Sequence, residues 1–192
     1  MAHSATKTAA LIAMVFLSAL VLASGSRAED ARAQALVDLI NSTTGAAAPG
    51  DKDAIRAACG SLIVKALDLE TMAPRASYDA FGAMNQSQKK AYLDALSARA
   101  ARDCVSRGKE VAGEKVELAG MRDGKDGETQ IGVRRADGQG KTAIWTFESG
   151  GTRAIDVTVD GHSLVTNARS QARQILEQSG GDVNRLIQAL SR

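Results

Sequence analysis

AIDVTVDGHSLVTNARSQARQIL, residues 154–176, changes its hydrophobic period partway along, and that change states the fold class. Up to Val159 the apolar residues alternate: Ile155, Val157 and Val159 share one side, and Asp156 and Thr158 take the other. This is the period of a strand buried on one face. Beyond the turn at Gly161, the segment SLVTNARSQARQILEQ has helical spacing. Ser163 stands where an N-cap hydroxyl is needed, and Leu164 and Val165 are placed to anchor the new helix against the sheet. A strand feeding directly into a helix points to an α+β chain.

Upstream lie three more segments of strand character: EKVELAGM (114–121), ETQIGVRRA (128–136) and KTAIWTFE (141–148). The links RDGKDG, DGQG and SGG supply turn residues between them. Ala143, Trp145 and Phe147 share a face, with Thr142 and Thr146 opposite. The pattern predicts a four-stranded antiparallel sheet with one face against helices.

The preceding half reads as helical. EDARAQALVDLI places Ala35, Leu36, Leu39 and Ile40 on one face, and DKDAIRAACGSLIVKAL opens with the acidic residues that suit a helix N-terminus. DLETMAPRASYDAF is limited by Pro74 to a short or kinked helix. MNQSQKKAYLDALSARAARDCV carries Tyr92, Leu93, Leu96 and Ala100 at helical spacing, with Asn85 or Ser87 as its N-cap. DVNRLIQALS predicts a last short helix.

Lys7 followed by the apolar run AALIAMVFLSALVLA and then SGSRA reads as a secretory signal peptide over residues 1–28, leaving residues 29–192 as one domain. The run is short for a spanning helix. No cysteine lies near the cleavage point, so a free exported protein is expected rather than a lipoprotein. Removal of Lys7 and Arg27 lowers the basic count from 24 to 22, equal to the 22 acids. That balance offers no basic field for nucleic acid. Cys59 and Cys104 are the only cysteines, and an even count in an exported chain favours a disulfide, with two separate thiols as the alternative.

Catalytic signatures are sparse. His162 is the only histidine after His3, and HExxH and GxSxG are absent. DGQGKT ends like a phosphate-binding loop, but Arg135 occupies the position of its first glycine, so a turn between strands is the better reading. NST at 41–43 and NQS at 85–87 match the glycosylation sequon. Asp156, within an apolar strand and close in sequence to His162, raises an acid–base enzyme as a rival reading. The alternation instead turns Asp156 away from the core with Thr158.

Two stretches carry a family resemblance. DLETMAPRASYDAFGAMNQSQKKAYLDAL, and more specifically the strand, glycine turn and SLVxNxRSQ of residues 154–176, resemble the MlaC family, also called toluene-tolerance auxiliary proteins. The resemblance spans nearly all of residues 29–192. It implies helices wrapped around a four-stranded antiparallel sheet, a cystatin-like cone with an apolar cavity. It also implies a periplasmic carrier of phospholipid, working between an inner-membrane ABC transporter complex and an outer-membrane lipoprotein complex. A related branch, HpnM, is associated with hopanoid lipids. No catalytic residue, metal or cofactor is implied beyond bound lipid as cargo.

On that footing the expected lipid-contacting side chains are Leu93, Leu96, Ile131, Val133, Trp145, Phe147, Ile155, Val157, Leu164, Ala168, Ala172 and Ile175, with Asn167 and Arg169 as head-group candidates. The chain departs from the family pattern in three places. Ala168 and Ala172 replace a tyrosine and a phenylalanine, and Thr152 stands for a tryptophan. The smaller residues at 168 and 172 leave two outcomes open, a wider cavity or compensation by other packing. The two cysteines are not part of the family's motif.

Overall fold

The structure is a computed structural model that describes residues 27–108 and 112–192. The expected signal peptide falls outside the described residues except for Arg27 and Ala28, which are helical. Helix α1 runs over 27–42, α2 over Lys52–Ala66, α3 over Leu69–Ala76 and α4 over Gln86–Gly108. The sheet follows as β1 Val116–Asp123, β2 Thr129–Arg135, β3 Ala143–Phe147, β4 Ala154–Val159 and β5 His162–Ser163. Helices α5 (Leu164–Gln178) and α6 (Val183–Ser191) close the chain. Among the described residues, no helix is long and apolar enough to cross a membrane.

Local chemistry explains most boundaries. Asp51 accepts from the N–H groups of Asp53 and Ala54 to start α2, and Asp182 does the same for Asn184 and Arg185 at α6. At α4 the cap is Asn85, not Ser87. Its Oδ1 accepts from the Gln88 N–H at 2.9 Å, while Gln88 Oε1 accepts from the Asn85 N–H at 3.1 Å. Asn41 likewise spends its amide on the Val116 backbone, at 2.8 and 3.1 Å. Both sequon asparagines therefore have structural duties.

The buried stripe of α1 is Ala33, Leu36, Val37 and Ile40, while Ala35 is exposed and Leu39 only partly covered. The expected face was rotated: the spacing i, i+3, i+4, i+7 from Ala33 gives the tighter stripe, and Leu39 sits at its edge.

The sheet is antiparallel throughout, in the order β1-β2-β3-β4-β5. Its fifth strand was not expected. Asp160 and Gly161 both take positive φ (57° and 75°), the backbone that a two-residue hairpin turn requires, so the chain folds straight back on β4. Thr158 then pairs with Ser163 and Val159 with His162.

Pairing aligns Met121, Ile131, Trp145 and Val157 in one row, and Val133, Ala143 and Val159 in the next. Helix α4 packs against α2 and α6, and α5 packs against α3, α6 and β4. A disulfide joins Cys59 of α2 to Cys104 of α4. The Arg102 guanidinium donates to the carbonyls of Leu190 and Ser191 at the end of α6. The start of β4 is tied to the α2–α3 junction by the Asp68 N–H, which donates to the Ala154 carbonyl at 2.8 Å.

Candidate functional site

The inner face of the sheet is turned towards the helices, but its two ends differ. Strand alternation decides which side chains face inward; position along each strand decides which end they reach. At one end Ile131, Phe147 and Ile155 are at most 2% exposed and belong to the packed core with Leu96, Met72 and Tyr92. At the other end Val133, Ala143, Trp145, Val157 and Val159 face a cavity of about 360 Å³. Ile40, Leu62, Ile63, Leu67, Ala100 and Cys104 form the helical wall opposite, and Leu164 enters from the start of α5. The disulfide is thus part of the wall that joins α2 to α4.

The mouth is polar. Arg99, Asp103, Ser106 and Arg107 come from the C-terminal half of α4, Arg134 and Arg135 from the end of β2, and Lys141 from the approach to β3. His162 and Asn167 complete it from β5 and α5. Arg134 pairs with Glu117 at 2.9 Å, Arg135 with Glu114 and Asp137, and Lys141 with Asp160. The Lys141 hydrogen bond and charge hold the Asp160 carboxyl below its ordinary value. The Gln139 N–H and the Arg135 guanidinium do the same for Asp137, in the turn between β2 and β3.

Of the expected contact residues, the structure brings Val133, Trp145, Val157, Leu164 and Asn167 together around this cavity. Leu93 and Ile175 are partly buried against the core instead. Ala168 and Ala172 are fully buried in the core and do not line the cavity. Their methyl groups let α5 lie close to its neighbours. The positions where relatives tend to hold rings are therefore part of the packed core in this chain.

Arg169 is engaged elsewhere. It donates to the Arg75 carbonyl at 3.3 Å, reaches Asp79 at 3.5 Å, and its guanidinium lies 5.2 Å from the Tyr78 ring centroid. It stitches α5 to the turn after α3, where Tyr78 and Asp79 both hold positive φ.

Asp156 also has a structural duty. One oxygen accepts from the N–H groups of Val157 (2.8 Å) and Val165 (3.1 Å), the other from the Ser163 hydroxyl (2.6 Å). Ser163 Oγ in turn caps the Thr166 N–H at 3.0 Å. A carboxylate held at the start of α5 also suits the positive end of the helix dipole. His162 is exposed and makes no hydrogen bond to it.

Five buried donors make no hydrogen bond among the described residues: Trp145 Nε1 and Arg99 Nε beside the cavity, the Tyr92 and Ser179 hydroxyls, and Arg32 Nη1. Burial pushes the Tyr92 hydroxyl well above the ordinary phenol value. The Arg32 guanidinium lies 5.5 Å from the Phe147 ring centroid.

Sequence reasoning did not single out the helical wall (Ile40, Leu62, Ile63, Leu67) or the basic mouth. Apolar spacing in α2 marked an inward face, but nothing in it distinguishes a side chain against a hollow from one against a neighbour.

Three comparisons bear on this arrangement. The family model described as MlaC protein matches residues 31–192. Among solved structures, a phospholipid-binding protein from Ralstonia solanacearum, in complex with a phospholipid, is similar in fold with a TM-score of 0.64. The two are 18% identical, and the match covers 83% of this chain and 93% of that one. A search of curated proteins gives no match.

Proposed function

Because the chain belongs to the MlaC family, we propose that it is a phospholipid-binding carrier whose acyl chains enter the cavity between the sheet and helices α1, α2 and α4. The observation that carries this reading is the cavity itself: an apolar floor and helical wall opening through a polar mouth. Among the expected residues, Val133, Trp145, Val157 and Leu164 are the proposed acyl contacts, and Asn167 stands near the head group.

A lipid with about 30 methylenes carries roughly 24 kcal/mol of hydrophobic free energy in water, at about 0.8 kcal/mol for each methylene. Transfer through water therefore requires enclosure, and surface contact would leave much of that area wet. A cavity of about 360 Å³ is near the lower end for small-molecule sites. Two full acyl chains would need the walls to part.

The wider role follows the family. After export and removal of residues 1–28, the carrier would pass lipid through the periplasm between an inner-membrane ABC transporter complex and an outer-membrane lipoprotein complex. It would bind cargo and perform no chemistry. In support, the best carboxylate candidate, Asp156, is occupied in holding a helix start.

Native mass spectrometry of the exported protein, purified without detergent, tests the reading. A bound mass matching a diacyl phospholipid is the expected result, and a hopanoid mass would move the cargo to the hopanoid class. A protein that arrives empty and takes up no lipid from vesicles would overturn the carrier role.

A further inference from the structure

The charges that face the cavity are unevenly signed. Arg99, Arg107, Arg135 and Lys141 line it, against Asp103, which lies 3.6 Å from Arg99; Arg134, next to inward-facing Val133 on the strand, turns with Glu117 to the outer face. From residue 29 onward basic and acidic residues are equal in number, so the bias is local and not inherited from net charge. The neutralising carboxylates Glu114, Asp137 and Asp160 pair with these cations without lining the cavity themselves. Along the lining itself the cations still outnumber the carboxylates. Apolar walls behind such a mouth strengthen its field, because little water screens it from within.

Two groups make no direct pair, and the Arg107 charge acts on Asp160 from beyond ion-pair distance. Arg107, exposed in the last turn of α4, makes no ion pair among the described residues. The Asn167 side chain, contributed to the same lining by α5, makes no hydrogen bond among them.

Resting on the carrier reading above, we propose that this mouth selects the head group: it seats the phosphodiester of a lipid with net negative charge in preference to a zwitterionic one. Arg107 is the principal contact to the phosphate, with the Asn167 amide as a second donor. A zwitterionic head group adds an ammonium that a cation-lined mouth repels, whereas an anionic one brings the phosphate charge with no cation beside it.

The test is competition between two lipids with identical acyl chains. The protein is incubated with vesicles of equimolar phosphatidylglycerol and phosphatidylcholine, and bound lipid is counted by native mass spectrometry. At low salt phosphatidylglycerol is expected to exceed phosphatidylcholine by about two- to fivefold, the range of one exposed charge contact. The ratio should fall towards one at high salt and in Arg107→Glu, and should persist in Arg107→Lys. Lys141→Ala provides a second, independent reduction.

Equal loading of the two lipids by the unaltered protein at low salt would overturn the inference, as would a ratio that Arg107→Glu leaves unchanged. In both cases lipid is still bound, and the carrier reading stands. Failure to load either lipid would instead remove the carrier reading, and this inference with it.

Discussion

The Asp156 carboxylate lies 2.6 Å from the Ser163 hydroxyl, and together they hold the corner where β4 and β5 give way to α5. Asp156 reaches the Val165 N–H directly, and Ser163 reaches the Thr166 N–H, so two of the free amides at the helix start are satisfied. Asp156→Ala should lower stability by about 1–2 kcal/mol, as loss of a helix cap does. Urea denaturation measures this. Folded Asp156→Ala should still carry lipid, as expected of a residue whose duty is to hold the start of α5.

Trp145 is the only tryptophan and lines the cavity. Its fluorescence should be quenched when lipids with brominated acyl chains are loaded. Lipids brominated on the head group should quench it much less. Equal quenching by both would mean that the acyl chains do not enter along β3.

Two alanines separate hollow from core. Ala143 faces the cavity between Val133 and Val159. Ala143→Phe should reduce lipid loading while leaving the empty protein as stable or more so, by up to about 1 kcal/mol. Ala168 is fully buried away from the cavity. Ala168→Phe should cost about 1–3 kcal/mol through overpacking, with no change in the lipid that the folded fraction carries. Paired denaturation and native mass spectrometry read both effects.

The Cys59–Cys104 disulfide closes a loop with a sequence separation of 45, which corresponds to about 4 kcal/mol in the chain-entropy account. The Cys59→Ala, Cys104→Ala double variant should unfold at correspondingly lower denaturant. It should also exchange lipid with vesicles faster, because α2 and α4 are then free to separate. Stopped-flow transfer of a fluorescent lipid checks the second effect.

The Lys141–Asp160 pair makes the mouth acid-sensitive only at low pH. Asp160 is held below its ordinary value of 3.8, first by the Lys141 hydrogen bond and then by its charge. A carboxyl lowered by folding contributes its stability in full above the unfolded value, and loses it as pH falls through the lower folded value. The pair should therefore stay closed at neutral pH and open only in strong acid. Carboxyl-carbon NMR titration of Asp160 should show its midpoint below the ordinary value, and Lys141→Ala should return it.

How much of this was legible in the sequence depends on which physical signal each feature leaves. The change of period at Gly161 and the alternation in Ala143, Trp145 and Phe147 follow from side-chain geometry, so four strands and their inward face could be read. Strand β5 could not, because two residues carry no period, and it rests on the φ values of Asp160 and Gly161. The site was half legible for a related reason. Alternation places Trp145 and Phe147 on one face alike, yet one lines a cavity and the other fills the core. Antiparallel neighbours bring the end of β2, the start of β3 and the end of β4 to the same rim, and that pairing is a long-range fact. Arg169 shows the same limit: its charge and helix position suited a head group, but the turn after α3 takes it first.

The contrast between the two ends of the sheet bears on how such a chain can change over generations. Substitutions at Ile131, Phe147 or Ile155 must be matched by their neighbours, whereas Ala143, Val157 and Val159 border space and can vary singly. Ancestry can therefore write a new cargo at one end of the molecule while the other end, packed solid, keeps the inheritance of the fold.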